Sequence, residues 1–220
     1  MGNIQTVDRF EPQKIDSEES QNQFLQRLRV FTVLVLVIIG AYVTFLNMDQ
    51  FPHYQDAEGT NIANGLAMLT EQDFSAYTYA YEESPLLSIT FGAWGYVTDG
   101  FNTTEFPVYD GRILMLLLRI LVIMLVYLIT FKLTESDLAA VVATLLFIFS
   151  PLSISLGRRV LEDNIMLVFL LTSFYLLLGR DQSLYRHMAS SVFFGLAVLF
   201  KMSIFWLMPA YILTILLVAD

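Results

Sequence analysis

Residues 49–111 read DQFPHYQDAEGTNIANGLAMLTEQDFSAYTYAYEESPLLSITFGAWGYVTDGFNTTEFPVYDG. The stretch holds ten acidic residues and neither lysine nor arginine. It lies between two of the most apolar runs of the chain, residues 30–46 and 113–131. A bilayer-crossing helix needs about 20 apolar residues, and both runs approach that length. The stretch therefore reads as a polar loop, residues 47–111, hung between two membrane helices. Loops rich in Lys and Arg stay in the cytoplasm, so its lack of positive charge places it on the extracytoplasmic side. The fold this dictates is an all-α polytopic membrane protein of about five or six transmembrane helices. Its large first loop would carry short interfacial helices.

Composition agrees. Of 220 residues, 56% are hydrophobic, and the mean hydropathy is +0.60, too apolar for an ordinary soluble domain. There is no cysteine, which removes disulfides and thiolate metal sites. The formal net charge is -9, and no basic stripe exists to hold nucleic acid. Residues 1–26 are polar and acidic, with Pro12 and the run Asp16-Ser17-Glu18-Glu19-Ser20. They lack the basic start and apolar core of a secretory signal and read as a disordered cytoplasmic tail. The organisation expected is that tail followed by one transmembrane module, residues 27–220.

Working outward from the loop, Arg27 and Arg29 anchor the first membrane helix, residues 30–46, in the cytoplasm. Inside the loop, Ile62, Leu66 and Leu69 recur at helical spacing, which predicts a surface helix. Residues 85–97 predict a second one, with Phe91, Trp94 and Tyr96 suited to interfacial depth. Asn102-Thr103-Thr104 is an N-glycosylation triplet. Residues 113–131 return inward to Lys132, and Thr134–Asp137 supplies capping residues for the next helix. Residues 138–156 go outward with Pro151 near the end, 157–164 form a short charged external segment, and 165–178 come back to Arg180 and Arg186. Residues 188–218 are apolar except Lys201 and predict two shorter helices meeting there, or one long kinked helix. The chain stops as that last helix ends, so it reads as the N-terminal part of a larger fold.

In this topology Arg112, Arg158, Arg159 and Lys201 fall at the outer face, against the charge rule, and are candidates for anion binding. Arg119 lies seven residues from Arg112 on the same helix face, at a depth where an arginine must face protein or water or snorkel outward. Three acidic clusters accompany them. In His53-Tyr54-Gln55-Asp56-Ala57-Glu58-Gly59, the carboxylate pair could hold a divalent cation or serve as a general base, or simply cap the helix that follows. In Tyr81-Glu82-Glu83-Ser84-Pro85, the adjacent carboxylates could ligate a metal or bind sugar hydroxyls, or form a turn ahead of a helix with Pro85 at its first position. In Gly157-Arg158-Arg159-Val160-Leu161-Glu162-Asp163, the arginines could grip a phosphate beside a working carboxylate, or form salt bridges capping the next helix.

Together these elements resemble the N-terminal half of the C-type glycosyltransferase (GT-C) superfamily. The resembling branch contains the dolichyl-phosphate-mannose protein mannosyltransferases and the lipid A aminoarabinose transferases. Asp56-Ala57-Glu58-Gly59 looks like the acidic motif that opens their first external loop. Tyr81-Glu82-Glu83-Ser84-Pro85 is similar to their aromatic-Glu-x-Pro-Pro element, with Ser84 replacing the first proline. Arg112 falls where an arginine often opens the second helix. Ser150-Pro151 with Gly157 through Asp163 is similar to the second external loop, and Gly195-Leu196-Ala197 with Lys201 and Pro209 to a Gly-Leu-Ala…Lys…Pro segment. The resemblance runs from about residue 24 to the end.

It implies an inverting transfer of a sugar from a polyprenyl-phosphate donor to an acceptor hydroxyl at the extracytoplasmic face. Asp56 would be the base, Glu58 its fallback, and Asp163 would orient donor or acceptor. Arg112, Arg158, Arg159 and Lys201 would bind the donor phosphate. Glu82 would take a divalent cation, with Glu83 and Tyr81 on substrate. The implied partners are the lipid bilayer, the polyprenyl-linked sugar and partner subunits; the implied location is a prokaryotic plasma membrane with the N-terminus inside. The rival reading is a non-catalytic membrane subunit of the same ancestry, which Ser84 favours and the retained Asp56 and Asp163 oppose. A transporter would show inverted repeats, and none is legible.

Overall fold

The structure, a computed structural model, describes residues 12–70, 84–98, 108–179 and 183–219. Every regular element among them is helical. In chain order these are α1 (Pro12–Phe45), α2 (Asp56–Thr70), α3 (Pro85–Val97), α4 (Val108–Thr134), α5 (Asp137–Phe149), α6 (Pro151–Arg158), α7 (Glu162–Leu177) and α8 (Leu184–Phe200). A 3-10 turn over Met202–Leu207 and α9 (Met208–Ala219) complete the order.

Local chemistry sets most boundaries. Ser84 caps α3 by accepting from Leu86 N, and Pro85 takes the first helical position, where its missing N–H costs nothing. Ser136 caps α5 through Ala139 N, and Ser150 caps α6 through Ser153 N ahead of Pro151. Pro151 divides the run expected as one helix over residues 138–156. Proline removes a backbone donor and clashes with the preceding turn, so α5 and α6 meet at a bend of 63°. The long apolar run over residues 188–218 divides at Lys201, as its excess length suggested. The first helix extends well before residue 30, and α1 begins at Pro12, inside the stretch read as a tail.

By length and composition, Gln23–Phe45 and Val108–Thr134 can each cross a membrane, and the bent pair α5–α6 is a third span if taken together. α7 and α8, with 16 and 17 residues, fall short of the roughly 20 that a straight crossing needs. Burial is inverted relative to a soluble protein. Phe31, Ile38 and Leu146 are 63%, 66% and 70% exposed, while Thr44, Thr144, Ser173 and Ser190 are fully buried. A surface of this kind suits lipid, with polar groups joining helices inside.

Close approaches hold the bundle. A Cβ on Gly40 of α1 would run into Ile123 of α4, and one on Gly65 of α2 would sit 2.6 Å from the Phe91 Cβ of α3. Between α7, α8 and α9, Ser190 Oγ donates to Ser173 O at 2.8 Å and lies 2.6 Å from the Tyr211 hydroxyl, while Phe194 stacks on Tyr211. One core cluster runs through α2, α3, α4, α7, α8 and α9, and a second through α1, α4 and α5, with α4 common to both.

Candidate functional site at one end of the bundle

The acidic motif enters α2 with Glu58 completely buried, as is Arg112 near the start of α4. Arg112 Nε donates to Glu58 Oε1 at 3.1 Å and Nη2 to Oε2 at 3.0 Å, a bidentate pair. Its remaining donors reach Met48 O at 2.6 Å and Pro52 O at 2.9 Å. Glu58 also accepts from Val160 N at 3.0 Å and from Gln55 N at 3.2 Å. Both charges are thus neutralised and hydrogen-bonded, the condition on which a buried pair survives. Glu58 and Arg112, expected as fallback base and phosphate ligand, are engaged with each other and with backbone. Neither presents a free face to a substrate here.

Arg158, expected at the donor phosphate, is also buried. It donates to Val43 O, Leu46 O and Phe51 O at 2.6, 2.8 and 3.2 Å. These carbonyls lie at and beyond the C-terminal end of α1, where the helix leaves its last acceptors without partners. Arg119 does the same at the α5–α6 bend, donating to Ser153 O and Ser153 Oγ and to Ile148 O. It lies over the Phe147 ring and forms one wall of a cavity of about 230 Å³ with Ser153, Leu156 and Asn164. Arginine suits this work because its fork carries five donors. The anticipated internal salt-bridge cluster in residues 157–163 is replaced by backbone capping at Arg158.

Two cations at this end are only half-buried. Arg159 is partly exposed; its Nη1 donates to Gln55 Oε1 at 3.0 Å, and its Nε is buried with no hydrogen-bond partner among the described residues. Lys201 sits in the break between α8 and the 3-10 turn, 2.5 Å from Asp163 Oδ1 and 3.5 Å from Glu162 Oε1. Burial disfavours its charge, but the hydrogen bond and charge of Asp163, with Glu162 behind, outweigh that and raise its pKa above the ordinary lysine value.

Separate parts of the chain converge on this end. The buried Val160 peptide is held from both sides by α2, its N–H by Glu58 and its C=O by Asn61 Nδ2 at 2.8 Å. That grip, with the Arg159–Gln55 bond, sets the first turn of α2, where Asp56 begins the helix, beside the segment leading to Asp163. The Ser84 hydroxyl donates to Leu199 O at 2.6 Å, so the start of α3 sits against the end of α8, two residues from Lys201. Ser84 departs from the proline of the family pattern, and a proline could not make this bond. Glu82, Glu83 and Tyr81 lie outside the described residues, as does the Asn102 triplet.

Gln55, Asn61 and Val160 carry the assembly and were not singled out from sequence. Asn61, three residues after Glu58 on one helix face, was the readable signal, since a polar pair on a face that is otherwise buried needs partners. Among the described residues no three His, Cys, Asp or Glu side chains gather to hold a metal ion. The open carboxylates there, Glu162 and Asp163, face Lys201. With the Lys201 ammonium against both, these two carboxylates do not fit a metal cation.

Exposed apolar helix faces, an inverted interior and a cluster of charged side chains at one end define a helical integral-membrane protein. The family model of dolichyl-phosphate-mannose-protein mannosyltransferase matches residues 23–219, nearly the whole chain. The chain belongs to that family, and with it to the membrane glycosyltransferases. No curated protein matches it. No solved structure matches it either.

Proposed function

We propose that this protein transfers a sugar from a polyprenyl-phosphate donor to an acceptor hydroxyl at the extracytoplasmic face, inverting the anomeric centre. The observation that carries the reading is the α2 grip on Val160. It brings the Asp56 turn, Arg159, Asp163 and Lys201 to one end of the bundle from positions far apart in sequence. Asp56 takes the proton of the acceptor hydroxyl as its oxygen attacks C1. The C1–O bond to phosphate breaks, and the polyprenyl phosphate leaves with the electron pair. Arg159 and the remaining N–H of Lys201 neutralise the leaving phosphate, an electrostatic task that needs no proton transfer. Asp163 holds Lys201 in place and borders the sugar. Arg112, Glu58 and Arg158 act at one remove, by fixing the loop that carries Asp56. The carrier's tail suits the apolar hollows on both sides of Ser150, one bordered by Val122 and Leu156 and the other by Val142, Leu146 and Phe149.

The test is sugar transfer from a polyprenyl-phosphate donor by the intact protein in detergent or nanodiscs. Asp56→Asn should lose about 10²–10⁴-fold in kcat, the range of a positioned general base, with unchanged thermal unfolding. Arg159→Gln and Lys201→Gln should mainly raise the KM for donor. Full activity in Asp56→Asn removes Asp56 from its role. No transfer by the wild-type chain with any polyprenyl-linked sugar points instead to a non-catalytic subunit.

A further inference from the structure

The opposite end of the bundle carries a polar cavity, of about 620 Å³, lined by Arg29, Lys132, Glu135, Tyr175, Gly179 and Arg186 among others. Arg112 and Lys132 lie twenty residues apart on α4, which puts the two ends about 30 Å apart. Here α4 and α7 end while α5 and α8 begin. By the distribution of basic residues this is the cytoplasmic side. Three cations share the one hollow. Arg29 is bound to Asp137 at 2.8 Å, and Asp137 also accepts from the Tyr127 hydroxyl at 3.0 Å. Lys132 Nζ donates to Tyr175 O at 2.9 Å and lies 3.6 Å from the Tyr175 ring centroid. Arg186 lays its guanidinium against Gly179, where any Cβ would collide with it. Among the described residues, Glu135 and Asp137 against Arg29, Lys132 and Arg186 leave one net positive charge around the cavity.

Cations outnumber carboxylates in this lining, which favours the entry of a further anion. The glycine that seats Arg186 keeps that guanidinium at the wall. Phe131 and Tyr175 add the aromatic lining typical of interfacial depth. We propose that this cavity binds the phosphate headgroup of an anionic phospholipid of the inner leaflet. Basic pockets between transmembrane helices on this side are suited to such headgroups. Lys132 and Arg186 would contact the phosphate oxygens, and Arg29 would close the site from α1. A soluble organic phosphate presents the same chemistry, but a lipid arrives already at the right depth. The proposal stands whether or not the outer end transfers sugar.

Native mass spectrometry of the purified chain tests it, with phosphatidylglycerol or phosphatidylcholine titrated in and glycerol 3-phosphate as soluble competitor. The wild type should retain phosphatidylglycerol in preference to phosphatidylcholine. Arg186→Gln should bind phosphatidylglycerol about tenfold or more weakly, the effect of losing one charged hydrogen bond. Gly179→Ala keeps every charge but displaces the guanidinium; it should weaken binding in the same direction and decides the matter if Arg186→Gln does not fold. Displacement of lipid by glycerol 3-phosphate supports phosphate recognition and makes the soluble ester the ligand. Equal retention of the two lipids by the wild type overturns the proposal, as does undiminished phosphatidylglycerol binding in both variants.

Discussion

Glu58 and Arg112 place two full charges where no water reaches them, so each depends on the other for its counter-charge. Glu58→Gln leaves Arg112 buried without an anion, which costs about 3–5 kcal/mol. Thermal unfolding in detergent should show this as a large drop, in contrast with Asp56→Asn; an unchanged transition would mean the pair adds no stability. Lys201 differs because it is partly open and its pKa is raised. A raised pKa contributes stability that is complete below the unfolded lysine value, about 10.4, and is lost as pH rises through the folded value. The stability difference between wild type and Lys201→Met should therefore stay level from neutral to mildly alkaline pH and shrink only in stronger alkali. Urea titrations at several pH values read it directly, and a difference that vanished near neutrality would contradict the assignment.

At the scale of elements, two glycines on different helices should respond in opposite directions. Gly65 lies where α2 crosses α3, and an added methyl would press on Phe91 and on the Gly92 backbone. Gly65→Ala should cost about 1–3 kcal/mol, the usual penalty for overpacking. Gly195 on α8 has nothing within 4 Å of an added Cβ, so Gly195→Ala should gain about 0.5–1 kcal/mol from reduced backbone freedom. Unfolding temperatures of the pair check both signs. The element boundaries were largely legible in the sequence. Ser84-Pro85, Ser136 and Ser150-Pro151 carry their capping chemistry openly, and α3 covers the expected residues 85–97. The bend between α5 and α6 was less legible, because Pro151 read as an end feature of one helix when its ring breaks that helix in two.

The whole molecule sorts its polar groups to two ends, and the absence of native cysteine makes that sorting measurable. In intact membrane vesicles, a membrane-impermeant maleimide should reach His53→Cys and Thr98→Cys from one side. It should reach Glu135→Cys and Tyr185→Cys only from the other. Labelling of all four from a single side would break the topology on which both proposed sites rest. The charge rule assigns these two ends to opposite sides of the membrane, and the labelling pattern tests that assignment. The rule also strands Arg112, Arg158, Arg159 and Lys201 together as anion-binding candidates, and tertiary contacts set two of them apart. Arg112 and Arg158 are buried and donate to backbone, Arg112 also to Glu58, whereas Arg159 and Lys201 are only half-buried.

The sequence by itself determined the all-helical class and most helix boundaries, because apolar run length, proline and serine caps act within a few residues of one another. Which cations stay available was decided only by the tertiary structure. A helix that ends or bends inside a bundle leaves carbonyls that water cannot reach, and whichever arginine the packing brings alongside must satisfy them. That partner can lie a hundred residues away, as Arg158 does from the end of α1, and no local pattern records it.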